Sequence, residues 1–410
     1  MTVPSPAAHL VARIAKSCAV GAKTRGQASV LCARTLAGAL VGAVILTVPA
    51  LAAQTDAPAA PPTAVAVEKI AGGLEHPWAL QHLPDGRLLV TERPGRLRLV
   101  GRDGVVSPPL PGVPAVAATG QGGLLDIALA PDFTSSGRLF FSFAEPRGSG
   151  TNGTSVASGR LVLQSGRERL EGVTVIFRQE PAARGGLHFG SRIAIARDGS
   201  LFVTLGERFQ MAFAQDLGRH WGKVVRIRPD GAAPPGNPFV GRADARAEIW
   251  SYGHRNPQGA TIHPDTGALW LVEHGPQGGD EVNIVRAGAN YGWPVIGYGV
   301  DYSGGRIHAA AGKEGMEQPL YYWVPSISPS GLTFYTGEMF PGWRGNLLLG
   351  ALGRSLRRLV LDGGRVVAEE VLLADRNERI RDVRQGPDGA VWLLTDAADG
   401  SVLRLTPGGR

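Results

Sequence analysis

The sequence predicts an all-β chain folded as a six-bladed β-propeller, and three observations predict it. Turn-formers are dense, with 58 glycines and 30 prolines among 410 residues, so long helices have little room. Hydrophobic residues make up 43% and charged ones 19%, which suits a globular chain and excludes disorder, collagen and a multi-span membrane protein. The third is a recurring theme: an apolar strand, a tight turn of Pro-Asp-Gly type, and a second strand of alternating apolar residues.

The theme occurs six times: WALQHLPDGRLLVTE (78–92), LDIALAPDFTSSGRLFFSF (125–143), SRIAIARDGSLFVTLGE (191–207), GATIHPDTGALWLVEHG (259–275), GLTFYTGEMFPGWRGNLLLGAL (331–352) and RDVRQGPDGAVWLLTD (381–396). Asp-Gly supplies the positive φ of a tight hairpin, and the alternation turns one face of each strand pair into a core. Uneven spacing between copies means insertions. Four strands per copy, at about 40 to 50 residues each, fill the chain from residue 67 to 410 as one domain. An irregular pair of β-sandwiches is the alternative, and six similar tandem hairpins suit radial repetition better.

Ahead of this domain, residues 1–53 hold Arg13, Lys16, Lys23, Arg25 and Arg34 and no acid, followed by the apolar run TLAGALVGAVILTVPALAA from Thr35 to Ala53. A basic segment, an apolar run and a small-residue ending at Ala52 or Ala53 read as an export signal; a single membrane anchor is the alternative. Cleavage there delivers a periplasmic or secreted chain with no stable membrane insertion, behind a Pro/Ala-rich linker at 54–66. Both cysteines, Cys18 and Cys32, lie in the signal, so the mature chain needs neither disulfides nor thiolate metal sites. Five of the seven net positive charges also leave with it, and no basic field for a nucleic acid remains.

Propeller loops gather at one end of a central channel, so polar residues at the ends of inner strands from different blades can converge. Segments there richer in Gly, His, Arg and Gln than turns require are GQGGLLD (120–126), GGLHFGSR (185–192), LGER (205–208), GHRNPQG (253–259), EHGPQGGDE (273–281), NYGWP (290–294) and RIRD (379–382). Read bare, a histidine between glycine turns is a hydrogen-bonding loop residue, and three arginines are solvated surface charges.

Taken together and in order, GQGGLLDIALAPDF, HFGSR, YGHRNPQG, HGPQGGDEVN, GANYGWP and RIRDV resemble the soluble glucose and aldose sugar dehydrogenases that depend on pyrroloquinoline quinone (PQQ), a family of six-bladed propellers. The resemblance covers the chain from about residue 70 onward. It implies that His188 is the general base for the sugar C1 hydroxyl, a task that imidazole suits because its ordinary pKa lies near working pH. Gln121 is similar to the family's substrate-cleft glutamine. The glucose-oxidising relatives carry Asp directly before the histidine, where this chain has Leu187, which bears on glucose preference.

The resemblance also implies that Arg255, Arg379 and Arg381 pair with the three PQQ carboxylates, to which guanidinium offers a planar bidentate fork. Asn256 and His274 accompany them as cofactor contacts. Where family members place a lysine in the fifth blade, this chain has Gly353 and Arg354, and Arg354 can supply the charge. Calcium is implied at the carbonyls of Gly275 and Pro276, with a second, structural Ca²⁺ at Glu281 and the backbone of Tyr291, in keeping with a hard cation's taste for oxygen. Asp280 is expected at the substrate, although Asp280 and Glu281 equally read as a solvated acidic turn. Tyr321 and Trp323, flanking Tyr322, resemble an aromatic wall over the sugar, and core packing explains them equally well.

The function expected is oxidation of an aldose at C1 to a lactone, with an external electron acceptor. Two other readings compete. A lactonase-type propeller hydrolase needs two or more carboxylates and an Asn on the channel, and a non-enzymatic glycan- or protein-binding propeller needs no base at all.

Overall fold

A computed structural model describes residues 53–409, so the export signal with its two cysteines lies outside the described residues except for Ala53. Among the described residues no helix is long and apolar enough to cross a membrane.

The strand β1 (Val65–Leu74) is followed by the three-stranded first blade, β2 (Pro77–His82), β3 (Leu88–Glu92) and β4 (Arg96–Val100). Blade 2 holds β5 (Leu124–Leu129), β6 (Arg138–Pro146), β7 (Asn152–Val162) and β8 (Arg169–Arg178). Blade 3 holds β9 (Gly190–Ile195), β10 (Leu201–Leu205), β11 (Lys223–Ile227) and β12 (Ile249–Tyr252). Blade 4 holds β13 (Pro257–Ile262), β14 (Leu269–Glu273), β15 (Asp280–Val285) and β16 (Tyr321–Trp323). Blade 5 holds β17 (Pro329–Phe334), β18 (Leu347–Ala351), β19 (Ser355–Asp362) and β20 (Arg365–Leu372). Blade 6 takes β21 (Ile380–Gln385), β22 (Val391–Thr395) and β23 (Gly400–Pro407), and β1 returns as its outer strand, with Val65 opposite Pro407 and Leu74 opposite Gly400. That exchange of chain ends closes the ring.

Each hairpin recognised in the sequence is the inner pair of one blade. The six first strands, β2, β5, β9, β13, β17 and β21, contact one another in a closed circle around the channel. The turns are as the Asp-Gly signal requires, with Gly86 at φ +83° and Gly199 at φ +81°. The inner strands are buried on both faces because each blade packs on two neighbours. Six apolar clusters result, one per blade interface: Leu89, Leu125 and Phe141 between blades 1 and 2, for instance, and Leu348, Ile380 and Leu393 between blades 5 and 6. Each such side chain, fully buried, contributes about 1.5–3 kcal/mol.

The expected linker is a correction. Residues 54–63 are bound to the propeller: Gln54 exchanges backbone hydrogen bonds with Leu320 and Tyr322 beside the outer edge of blade 4, and Pro58 and Ala60 with Glu369 on the outer edge of blade 5. The backbone N–H of Thr63 and its hydroxyl both donate to Glu370. A Pro/Ala-rich composition read as a spacer because extended backbone carries no periodic apolar signal; here it satisfies open strand edges instead. The propeller sheet itself starts at Val65, two residues before the expected boundary.

Tyr321 and Trp323 are a second correction. They lie on β16, buried in the cluster between blades 4 and 5, and both polar tips donate to Glu369 at 3.0 Å. An outer strand faces the neighbouring blade rather than the channel, so neither forms a wall over the site. Tyr322 stacks on Tyr298 at 3.8 Å.

Candidate active site

Loops at one end of the inner strands line a cavity of about 100 Å³ with residues of all six blades or the loops that join them, among them Trp78, Arg93, Gln121, Phe189, Asn256, Gln258, His274, Leu352, Arg381 and Asp396. Next to it along the channel, the buried Arg192 bridges Asp126 and Asp382, which in turn hold Arg384. The Arg192 guanidinium also donates to the carbonyls of Gln258 and Arg381, tying two cavity residues to this neutral plug of two Arg and two Asp. Pairing is what makes the three buried charges, Arg192, Asp126 and Asp382, tolerable, with Arg384 half-buried beside them.

His188 stands beside the cavity on the loop entering β9, with its neighbours Phe189 and Gly190 in the lining. Gln121 accepts its backbone N–H at 2.8 Å, and Asn256 accepts that of Gly190 at 3.1 Å. The loop after β10 comes so close that a Cβ on Gly206 would lie 2.1 Å from the His188 carbonyl oxygen, hence the glycine. Next to it, Glu207 accepts the Nδ1–H of His188 at 2.9 Å, which leaves Nε2 as the lone-pair nitrogen, and Nε2 has no partner among the described residues. Burial pulls the imidazole below its ordinary value; Glu207 opposes this, while Arg255 and Arg208 add to it. The ring is therefore neutral near pH 7, with its base nitrogen free.

The cavity is cationic. Arg381 donates to Gln258 at 3.1 Å and to Asp396 at 2.8 Å, but its buried Nε has no partner. Arg379, 44% exposed in its side chain, reaches the same Asp396 and the Leu352 carbonyl. Arg93 lines the cavity with no side-chain partner among the described residues. Burial alone would raise the Asp396 carboxyl; Arg381, His76 and Arg379 outweigh it and hold the group far below the carboxylate range. The lining thus holds one carboxylate and three guanidiniums. Asn256 accepts from Gln258 at 3.1 Å, and His274 gives Nε2–H to the Pro329 carbonyl at 2.8 Å.

Arg255 is placed otherwise than expected. It lines a second, smaller cavity that shares His274 with the first, and its guanidinium is committed to the carbonyls of His274 and Gly275 and to the Tyr302 hydroxyl. Around that second cavity lie Glu273, Pro276, Glu281 and Tyr291. Burial, with Glu273 and Asp280 close by, pushes the Glu281 carboxyl above its ordinary value. Asn283 is the one hydrogen-bond donor to it among the described residues. No group of three or more His, Cys, Asp or Glu poised for a metal ion occurs among the described residues.

Asp280 and Arg354 are further corrections. Asp280 is fully buried and saturated by the N–H groups of Gly275, Ile327 and Ser328 and the Ser326 hydroxyl, so it clamps two loops and has no capacity left for a substrate. Arg354 is exposed, and its guanidinium turns to Asn377 rather than into the cavity. Sequence reasoning missed Glu207 and Arg93 as site residues. Both follow the second strand of a blade, in LGER and TERPG, where Glu273 and Asp396 also stand; that recurring acidic strand end was the available signal.

A sequence profile described as glucose/sorbosone dehydrogenase matches residues 74–404. The chain is 46% identical over 352 residues to the aldose sugar dehydrogenase YliI of Escherichia coli strain K12, covering 85% of this chain and 94% of that protein. The crystal structure of the soluble aldose sugar dehydrogenase from Escherichia coli in its apo-form superposes with a TM-score of 0.80 at 45% identity, over 84% of this chain and 100% of that one. The PQQ-bound form of aldose sugar dehydrogenase from Streptomyces coelicolor superposes with a TM-score of 0.70 at 30% identity, over 85% and 99%.

Proposed function

The chain belongs to the glucose/sorbosone dehydrogenase family, and from that premise we propose that it oxidises aldose sugars at C1 with PQQ as cofactor. The observation that carries this reading is the pairing of a free, neutral His188 Nε2 with a cavity in which three guanidiniums outnumber a single carboxylate.

Oxidation of an aldose to its lactone removes a proton from the C1 hydroxyl and a hydride from C1. His188 Nε2 takes the proton, and Glu207 at Nδ1 fixes the tautomer and stabilises the imidazolium that forms. Gln121 holds the loop through the His188 N–H. PQQ, when bound, supplies the hydride acceptor, with Ca²⁺ polarising its carbonyl. The orphaned Arg381 Nε and the unpartnered Arg93 fit a polycarboxylate, so Arg93, Arg379 and Arg381 would hold it, with Asn256 and His274 alongside. Arg255 would act through the Gly275 carbonyl it already contacts. The crowded Glu281 carboxylate and the Tyr291 carbonyl suit a divalent cation, and Gly275 and Pro276 would offer the carbonyls of the other Ca²⁺ site.

Residues 1–53 would direct export, delivering an enzyme that passes electrons to an external acceptor outside the cytoplasm. The lactonase alternative lacks support because the cavity is lined by guanidiniums and amides with Asp396 as its one acid. The test is to add PQQ and Ca²⁺ to purified apoprotein and follow dye reduction over a panel of aldoses. Activity that needs both supports the reading; sugar oxidation without PQQ, or dependent on NAD, overturns it.

A further inference from the structure

Two bulky residues in succession, Arg208 and Phe209, both adopt φ +59°. That left-handed region is costly for any side chain with a Cβ, and such strain persists only where the surroundings over-determine it. Here they do. The Arg208 guanidinium is stacked 4.0 Å over Phe189 and donates to the carbonyls of Leu187, Gly185 and Asn152 and to the Asn152 side chain. Its backbone N–H reaches the His188 carbonyl at 3.3 Å. The strained turn leaves Phe209 56% exposed, with its ring edge-on to His188 and the centroids 5.2 Å apart. A benzyl group left in water beside a buried base has no packing role in the core. Leu187, on the other side of His188, is also exposed, at 40%.

We propose that Phe209 is a specificity-determining residue whose ring packs on the C–H face of the aldose presented to His188, with Arg208 as the positioning residue that holds it there. The inference rests on the proposed sugar oxidation. A pyranose is amphipathic, with hydroxyls around its edge and C–H bonds on its faces, and an aromatic side chain matches the apolar face. An aromatic group fixed next to the base therefore orients C1 and favours aldoses whose C–H face is uninterrupted by axial hydroxyls. The expected aromatic wall at Tyr321 and Trp323 is absent from the site, and Phe209 stands at the base instead.

The test uses the holoenzyme loaded with PQQ and Ca²⁺. Phe209→Ala should raise KM for glucose about tenfold with kcat within about threefold, the pattern of lost binding shared by ground and transition states. Its loss for galactose, with an axial C4 hydroxyl, should be smaller. Phe209→Trp should restore KM. Phe209→Gly, free of the left-handed strain, should melt no lower than the parent yet show the same raised KM, which separates sugar contact from stability. Glucose binding to holoenzyme kept reduced, measured by calorimetry, should weaken in parallel. Arg208→Lys should raise KM similarly and add little on top of Phe209→Ala. Unchanged KM and binding in both Phe209→Ala and Phe209→Gly would overturn the inference alone. Parent holoenzyme that oxidises no aldose would overturn the underlying reading, and the inference with it.

Discussion

In blade 3, His188 precedes Glu207 by 19 residues; in blade 4, His254 precedes Glu273 by the same 19. Each histidine sits before the first strand of its blade, each glutamate at or just after the end of the second, and each pair is joined through Nδ1 at 2.9 Å with the ring buried. They part at the other nitrogen. His254 Nε2 accepts the Ser251 hydroxyl at 2.9 Å and the ring stacks on Tyr291, whereas three residues before His188 the chain has Gly185, which offers no hydroxyl. The lesson is that a His–Glu pair is by default a joint between strand ends, and that leaving Nε2 without a partner beside a cavity turns the joint into a base.

The largest effect expected breaks the comparison at its centre. His188→Ala should lower turnover by about 10² to 10⁴, the usual worth of a positioned base, with PQQ binding retained. His254→Ala should instead destabilise the fold by about 2–4 kcal/mol, because it opens a cavity and strands a carboxylate, while the folded protein turns over normally. Thermal melts and initial rates on both variants decide it; loss of turnover in a well-folded His254→Ala would mean that the two pairs are not distinguished by Nε2.

Next comes the acid of each pair. Glu207→Gln should lower turnover by about tenfold or more, since the tautomer and the forming imidazolium lose their anchor. The pH profile gives a second readout. In the parent, burial holds His188 below the ordinary imidazole value, so the acid limb of kcat/KM should lie at lower pH than a free imidazole's would. Glu207 is the group that raises the imidazole pKa, so its neutralisation should move this acid limb to still lower pH. Glu273→Gln should leave the limb where it is.

The hairpins of the inner strands were legible because three local signals coincide there: Pro-Asp-Gly turns, short apolar runs and glycine at positive φ. Outer strands such as β8 and β20 mix charged residues with apolar ones, since one face meets solvent along the rim. The 54–63 segment was not legible at all, because its partners, Leu320 and Glu369, are hundreds of residues away. Within the site, loops carrying Gln121, His188, Asn256, His274 and Arg381 could be picked out by their surplus of Gly and polar residues. Burial and direction could not: Asp280 and Asp396 are both acids at a strand end, yet one is saturated by loop N–H groups and the other faces guanidiniums. Tyr321 and Trp323 failed for the same reason, an aromatic strand end being identical in sequence whether it meets a blade or a cavity.

The smallest effect sharpens the comparison most. Ser251→Ala removes only the hydroxyl at His254 Nε2, so blade 4 is left with a histidine whose Nδ1 is bound by a carboxylate and whose Nε2 is unpartnered, the arrangement of His188. Because that nitrogen is fully buried, losing its donor should cost about 1–3 kcal/mol of stability. Sugar oxidation should not change, for the His254 ring is fully buried and covered by Tyr291 at 4.7 Å. The double variant Ser251→Ala with His188→Ala should therefore stay as inactive as His188→Ala alone. Recovered turnover in that double variant would show that a free Nε2 suffices wherever it lies in the propeller; continued inactivity assigns the difference between the blades to the cavity beside His188 as much as to the nitrogen itself.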